Sequence, residues 1–67
     1  MTVAKITEIS SSSTKSFDDA VKVGIERASK TLKNIQGAWV SEQKVTVTNG
    51  KVSEYRVIMR VSFVLAD

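Results

Sequence analysis

The sequence of 67 residues contains no cysteine, no histidine and no proline. Without cysteine there is no disulfide, no thiolate nucleophile and no Cys-based zinc or iron–sulfur site. Without histidine the usual general base and the commonest metal ligand are missing. The three glycines build no phosphate-cradling loop. Catalysis would fall to carboxylates, Lys, Tyr or a borrowed cofactor, and Asp18 and Asp19 are adjacent on a predicted helix and so point in different directions. An enzyme is not expected. One Trp, one Tyr and two Phe are the whole aromatic inventory, and ten Lys and Arg against seven Asp and Glu leave a net charge of only +3. Lys44, Lys51, Arg56 and Arg60 make a thin basic set without the aromatic run of an RNA-binding sheet, so nucleic acid is not an expected partner. No stretch approaches the roughly 20 apolar residues of a membrane span. Met1 to Ile9 alternates polar and apolar residues instead of forming the continuous apolar run of a signal peptide, which leads to an expectation of a cytoplasmic protein.

Apolar residues are 42% of the chain and charged residues 25%, a globular balance. One domain over residues 1–67 is expected. Ordering a chain this short costs on the order of 100 kcal/mol, which a core of this size barely offsets. Natural chains of this length add disulfides, a metal or partner subunits. The first two are largely denied by composition, so self-association is expected.

Val3, Ala4, Ile6 and Ile9 among polar neighbours predict a first strand over about residues 2–9. Ser10 to Ser13 and Thr14 read as a polar loop leading to a helix cap, with Ser16 and Asp19 spaced as an imperfect capping box. A helix follows over about residues 14–34. Phe17, Ala20, Val21, Gly24, Ile25, Ala28, Leu32 and Ile35 fall within an arc of about 140° at 100° per residue. Lysines and acids cover the other side, with Asp18–Lys22 and Glu26–Lys30 in the favourable acid-first order. Gly24 lies on the apolar face despite its low helix propensity, which suggests that a strand approaches closely there. Gly37 either ends the helix or begins the next strand.

From Ala38 to Leu65 the apolar period becomes two. Asn49-Gly50 between two β-rich runs is a strong hairpin signal joining strands of about residues 37–48 and 51–65. Tyr55, Val57, Met59, Val61, Phe63 and Leu65 alternate without a break, whereas Val40 has one parity and Val45 and Val47 the other, which a bulge or strong bend near Ser41–Lys44 would reconcile. Strands of 12–14 residues run about 40–45 Å and a 20-residue helix about 30 Å, so one helix cannot shield such a hairpin. The fold class is α+β: a β-α-β-β subunit with a long antiparallel three-stranded sheet around one helix, built to assemble with other copies.

This element order, with the segments SSSTKSFDDAV, KTLKNIQGAWV and YRVIMRVSFVL, resembles the dodecin family over nearly the whole chain, from Val3 to Leu65. The resemblance implies a hollow homododecamer that binds, stores or buffers a small molecule, in typical members a flavin such as FMN or riboflavin stacked between two-fold-related tryptophans. It also marks departures. Gly37 occupies the position of the stacking Trp, and the indole appears two residues later as Trp39. Arg56 stands where a ring-binding Gln belongs. Lys44 keeps the charge of a phosphate-holding basic residue, and Val64 stands at a second basic position. Trp39, Lys44 and Arg56 are the candidate ligand residues, with an interface or core role for Trp39 and ion pairing with Arg60, Glu54 and Glu42 as the competing explanation. Two readings stay open: a shell that binds a small molecule, and a flavin-free structural shell or one that holds an ion at a symmetry axis through repeated carboxylates such as Glu8, Glu42 or Asp67.

Overall fold

A computed structural model describes residues 3–65 of the chain. The order of elements is β1 (Ala4–Ser13), α1 (Phe17–Ala28), β2 (Ile35–Thr48) and β3 (Lys51–Val64). The strands form one antiparallel sheet in the order β1-β3-β2, so the last strand lies in the middle. The subunit is a long slab of 51 × 19 × 14 Å. The α+β architecture expected from the sequence is therefore present, with strand lengths that exceed the helix as anticipated.

β3 is central because its alternation supplies the core. Val57, Met59 and Val61 are fully buried on the side facing α1, where Ala20 joins them, and Ile9, Phe17, Val21 and Ile25 pack around this cluster. Phe17 meets Tyr55 edge to face, with ring centroids 5.1 Å apart. The buried stripe of the helix is Ala20, Gly24 and Ala28, small residues four apart, so the helix axis lies close to the sheet. A Cβ on Gly24 would stand 2.9 Å from Ser11 Cβ and 2.6 Å from Met59 Cε, the close approach that its place on the apolar face suggested. The helix packs chiefly on β1 and β3, and every residue of β2 after Ile35 is exposed.

Both ends of the first half of the chain differ from the sequence expectation. The first strand continues to Ser13 instead of stopping near residue 9, and Ser10 to Ser13 are paired with Ile58 to Tyr55 instead of forming a loop. Serine has little intrinsic preference for strands, but here tertiary pairing overrides it. Ser11 Oγ donates to the Ala20 carbonyl at 2.8 Å, and Ser13 Oγ donates to Asp19 Oδ2 at 2.6 Å while accepting from the Lys15 amide. The serines thus tie the strand to the underside of the helix, where bulkier residues would hold it away.

The helix begins at Phe17 with Ser16 as its N-cap, whose Oγ accepts from the Asp19 amide at 2.9 Å. It ends at Ala28, not near residue 34. Beyond it the bonding tightens, with Lys30 N–H donating to Arg27 O and Thr31 N–H to Ala28 O, before Asn34 takes the left-handed φ of 63° and turns the chain. Asn tolerates that conformation better than most residues. Ile35 therefore leaves the helical face assigned to it and opens β2 opposite Phe63, a β-branched residue paired with an aromatic.

The hairpin forms as its sequence demands. Asn49 and Gly50 both have positive φ, 53° and 76°, the signature of a type I′ turn. A register shift between Val40 and Glu42 places the expected bulge at Ser41. Val40 then pairs with Met59 and Val45 with Tyr55, both on the helix side despite their opposite parity. Further shifts occur at Ile35/Gly37 and Thr46/Val47.

Candidate functional site

The bulge also decides what the other side of the sheet carries. On β3 the residues alternating with the core set are Glu54, Arg56, Ile58, Arg60 and Ser62, and these face away from α1. Trp39 pairs with Arg60, Lys44 with Arg56, Gly37 with Ser62 and Glu42 with Ile58. From β1, Glu8 pairs with Arg60 and Ser12 with Arg56. The three sequence candidates, Trp39, Lys44 and Arg56, thus share one face that no element of the subunit covers.

They form two groups along that face. Arg60 stands between Glu8 and Trp39, and its Nε lies 3.4 Å from Glu8 Oε2. Trp39 is 46% exposed, so its indole offers a free aromatic face beside a guanidinium. Four residues along β3, about 13 Å away at the strand rise, Lys44 and Arg56 face each other across β2 and β3. Like charges directly opposite disfavour pairing. Glu54 relieves one of them, with Oε1 3.4 Å from Arg56 Nη2, whereas among the described residues no carboxylate forms an ion pair with Lys44. Both ion pairs are more than one-third exposed and contribute at most a few tenths of a kcal/mol to ~1 kcal/mol. This face carries a planar aromatic ring at one end and, at the other, two cations of which one is paired with Glu54.

The flavin sandwich implied by the family pattern does not fit these residues. Gly37 lies on this face two residues before Trp39, and a Cβ added there would meet only Ser62 Oγ, at 3.9 Å. The space for a platform is open and the platform is absent. Arg56 presents donors only, so it cannot accept a hydrogen bond from a ring edge as a Gln carbonyl does. Val64 is half-buried near the sheet end, with its amide bonded to the Asn34 carbonyl.

Metal-binding capacity within one subunit is small. Among the described residues no three carboxylates come together, and Glu8 and Glu42 lie on different edge strands with Arg60 and Ile58 of β3 between them. Asp67, the third carboxylate of the ion-site expectation, lies outside the described residues. Among the described residues no helix is long and apolar enough to cross a membrane.

One feature was not legible in the sequence. A groove of about 590 Å³ runs between β1 and the C-terminal half of α1, lined by the apolar Ile9, Val23, Ala28 and Leu32, by Arg27 and by the serines and threonines of both elements. Val23 lies outside the apolar arc of the helix and was the only available sign of it.

A small β-α-β-β chain with one helix on a three-stranded antiparallel sheet and a long uncovered edge strand defines the class of fold. The dodecin family model matches residues 3–66. Among solved structures, the dodecin from Streptomyces davaonensis is 32% identical, with 98% of this chain and 97% of that one covered at a TM-score of 0.95. The Thermus thermophilus dodecin, in an arginine-to-alanine variant, is 30% identical over the full length of both chains, also at 0.95. A calcium dodecin from Mycobacterium tuberculosis, described as calcium-chelating with a novel calcium-binding site, is 32% identical over 96% of this chain and 91% of that one, at 0.83. No curated protein sequence matches the chain. The chain belongs to the dodecin family.

Proposed function

We propose that the chain assembles in the cytoplasm as a homododecameric shell, without enzymatic activity, whose helix-free sheet face holds a small anionic molecule bearing a flat ring. The observation that carries this reading is the placement of Trp39 beside Arg60, on the same uncovered face as the Lys44–Arg56 pair. Trp39 supplies one stacking surface, and Lys44 and Arg56 supply charge about 13 Å away along the sheet. Trp39 works here in place of the platform that Gly37 lacks, and it does not reproduce the two-sided sandwich of flavin-binding relatives. The exposure of β2 along nearly its whole length supports assembly, because an edge strand of 14 residues invites pairing or burial.

A second reading rests on the calcium-chelating relative and on the loss of the stacking position: a flavin-free shell in which carboxylates from several copies meet an ion at a symmetry axis. Three measurements separate these. Native mass spectrometry tests assembly, and a monomer at micromolar concentration refutes both. Titration with FMN and with riboflavin, followed by flavin fluorescence, tests the ligand face: quenching that Trp39→Ala abolishes and that is stronger for FMN supports the first reading. Calorimetric binding of calcium with no flavin quenching supports the second.

A further inference from the structure

Two ion pairs lie on the helix-free face, and one of them stands beside an aromatic ring. Glu8, Arg60 and Trp39 form a single row across β1, β3 and β2, because Arg60 is the cross-strand partner of both its neighbours. Arg60 donates through Nε to Glu8 Oε2 at 3.4 Å, a long contact. Among the described residues neither side chain makes another hydrogen bond, so both Nη groups of Arg60 and Oε1 of Glu8 are free. The two side chains are 53% and 56% exposed, and a pair so exposed adds little to stability. Its position says more than its strength. Free donors and free acceptors stand together at the side of an indole on which no other aromatic ring of the described residues is stacked, since the aromatic contact between Phe17 and Tyr55 is on the helix side.

A ring laid on Trp39 therefore presents its edge to a guanidinium and a carboxylate at once. An ionised carboxylate only accepts hydrogen bonds, and a guanidinium only donates them. A flavin edge, one N–H between two carbonyls, offers the carboxylate a single hydrogen and sets a carbonyl oxygen against it. Adenine offers an amino group and a ring acceptor. Guanine suits both partners fully. Its N1–H and N2–H lie parallel, as in the fork of a guanidinium, and match the two oxygens of Glu8, while O6 accepts from Arg60. Glu8 Oε2 keeps acceptor capacity beside its contact with Arg60.

The residues that follow along the face suit the rest of a nucleotide. Glu42, opposite Ile58, stands between Trp39 and Lys44 on β2. It would repel a phosphate, but it can accept from the hydroxyls of a ribose. Lys44 and Arg56 come next and supply donors and charge for phosphate.

We infer that the helix-free face takes a guanine nucleotide, with Glu8 and Arg60 reading the edge of a base stacked on Trp39. This rests on the proposed ligand face and names its ligand class, and it makes flavin the ring that the same edge disfavours.

Trp39 is the single tryptophan of the chain, so its fluorescence in the intact assembly reports binding at this face. Titration with GMP, IMP and AMP keeps sugar and phosphate constant and varies only the base, and FMN is followed by its own fluorescence. IMP lacks the N2 amino group alone, and losing one hydrogen bond to a charged group should weaken it about tenfold relative to GMP. AMP and FMN should also bind more weakly than GMP. Glu8→Gln exchanges an acceptor for a donor at an exposed position and should bring GMP and IMP together in affinity, with native mass spectrometry showing that the variant assembles as the wild type does. Equal binding of GMP and IMP by the wild type, or a preference for GMP that survives Glu8→Gln, overturns the edge reading and leaves the ligand face standing. FMN bound more tightly than GMP does the same. Pterin-6-carboxylate has the guanine-type edge without a sugar, and tighter binding of it than of GMP overturns the nucleotide. A wild-type assembly that binds none of these anions overturns both the inference and the ligand face beneath it.

Discussion

Replacing Gly24 by Ala tests how closely the helix lies on the sheet. The added methyl group would sit 2.9 Å from Ser11 Cβ and 2.6 Å from Met59 Cε, against an ordinary contact of 3.4 Å or more. Ser11 would have to recede by 3.4 − 2.9 = 0.5 Å. It is held on two sides, by its pairing with Val57 and by the 2.8 Å bond from its hydroxyl to the Ala20 carbonyl. Met59 ends in a flexible methyl, but it is 1% exposed and has little room to move. Overpacking of this kind costs about 1–3 kcal/mol. The alanine returns about 1 kcal/mol through helix propensity. Because the backbone of Ser11 is fixed, the upper part of the overpacking range applies, and the net loss is about 1–2 kcal/mol. At about 4–8 °C per kcal/mol for a domain of this size, the melting temperature should fall by roughly 5–15 °C. The comparison must be made at one protomer concentration, since assembly contributes to apparent stability. Met59→Leu in the same background shortens the obstructing chain and should recover part of the loss, giving a double-mutant coupling that opposes the two single effects. A melting temperature that rises in Gly24→Ala would refute the argument, because it would mean that propensity acts unopposed and that the strand is not pressed on the helix.

Three further outcomes follow from the same structure. Ser16→Ala removes the side-chain acceptor of the Asp19 amide and should lower stability by about 1 kcal/mol, while Ser16→Asp restores it, read by chemical denaturation. Gly50→Ala forces a side chain onto a φ of +76° and should cost about 1–2 kcal/mol by the same measurement, although the space around the glycine is open. Gly37→Trp should fold and assemble normally, since nothing but Ser62 Oγ at 3.9 Å meets a Cβ there, and should raise FMN affinity relative to the parent in a fluorescence titration; failure to fold would show that glycine is required by packing.

Much of the scaffold was legible because it rests on local chemistry. A hairpin turn that needs two positive φ values announces itself as Asn49-Gly50, and a half-buried central strand announces itself through the alternation from Tyr55 to Phe63. The parity of Val40 and Val45 called for a bulge or a strong bend, and the register shift at Ser41 is the bulge. Gly24 was informative because a residue unfavourable to a helix, placed on its buried face, has few explanations other than contact. The candidate ligand face was readable only as a set of residues, since Trp39, Lys44 and Arg56 are far apart in sequence and the bulge between them changes which neighbours they meet.

What the sequence by itself determined was the list of elements, their order and the position of the turn, with the cap narrowed to a few hydroxyl residues before Phe17. The tertiary structure decided the rest through pairing and packing, which local preference does not contain. Ser10 to Ser13 became strand because β3 offered them partners and α1 needed small residues beneath it. The helix stops at Ala28, well short of residue 34, and the left-handed Asn34 turns the chain so that Ile35 pairs with Phe63 in the sheet instead of lying on a helical face. Trp39 came to stand beside Arg60, with Lys44 opposite Arg56, because one extra residue at Ser41 sets the register on each side of it. The groove under α1 exists because the helix is seated on β1 and β3 through alanine and glycine, which leaves Val23 and Leu32 beside an open strand edge.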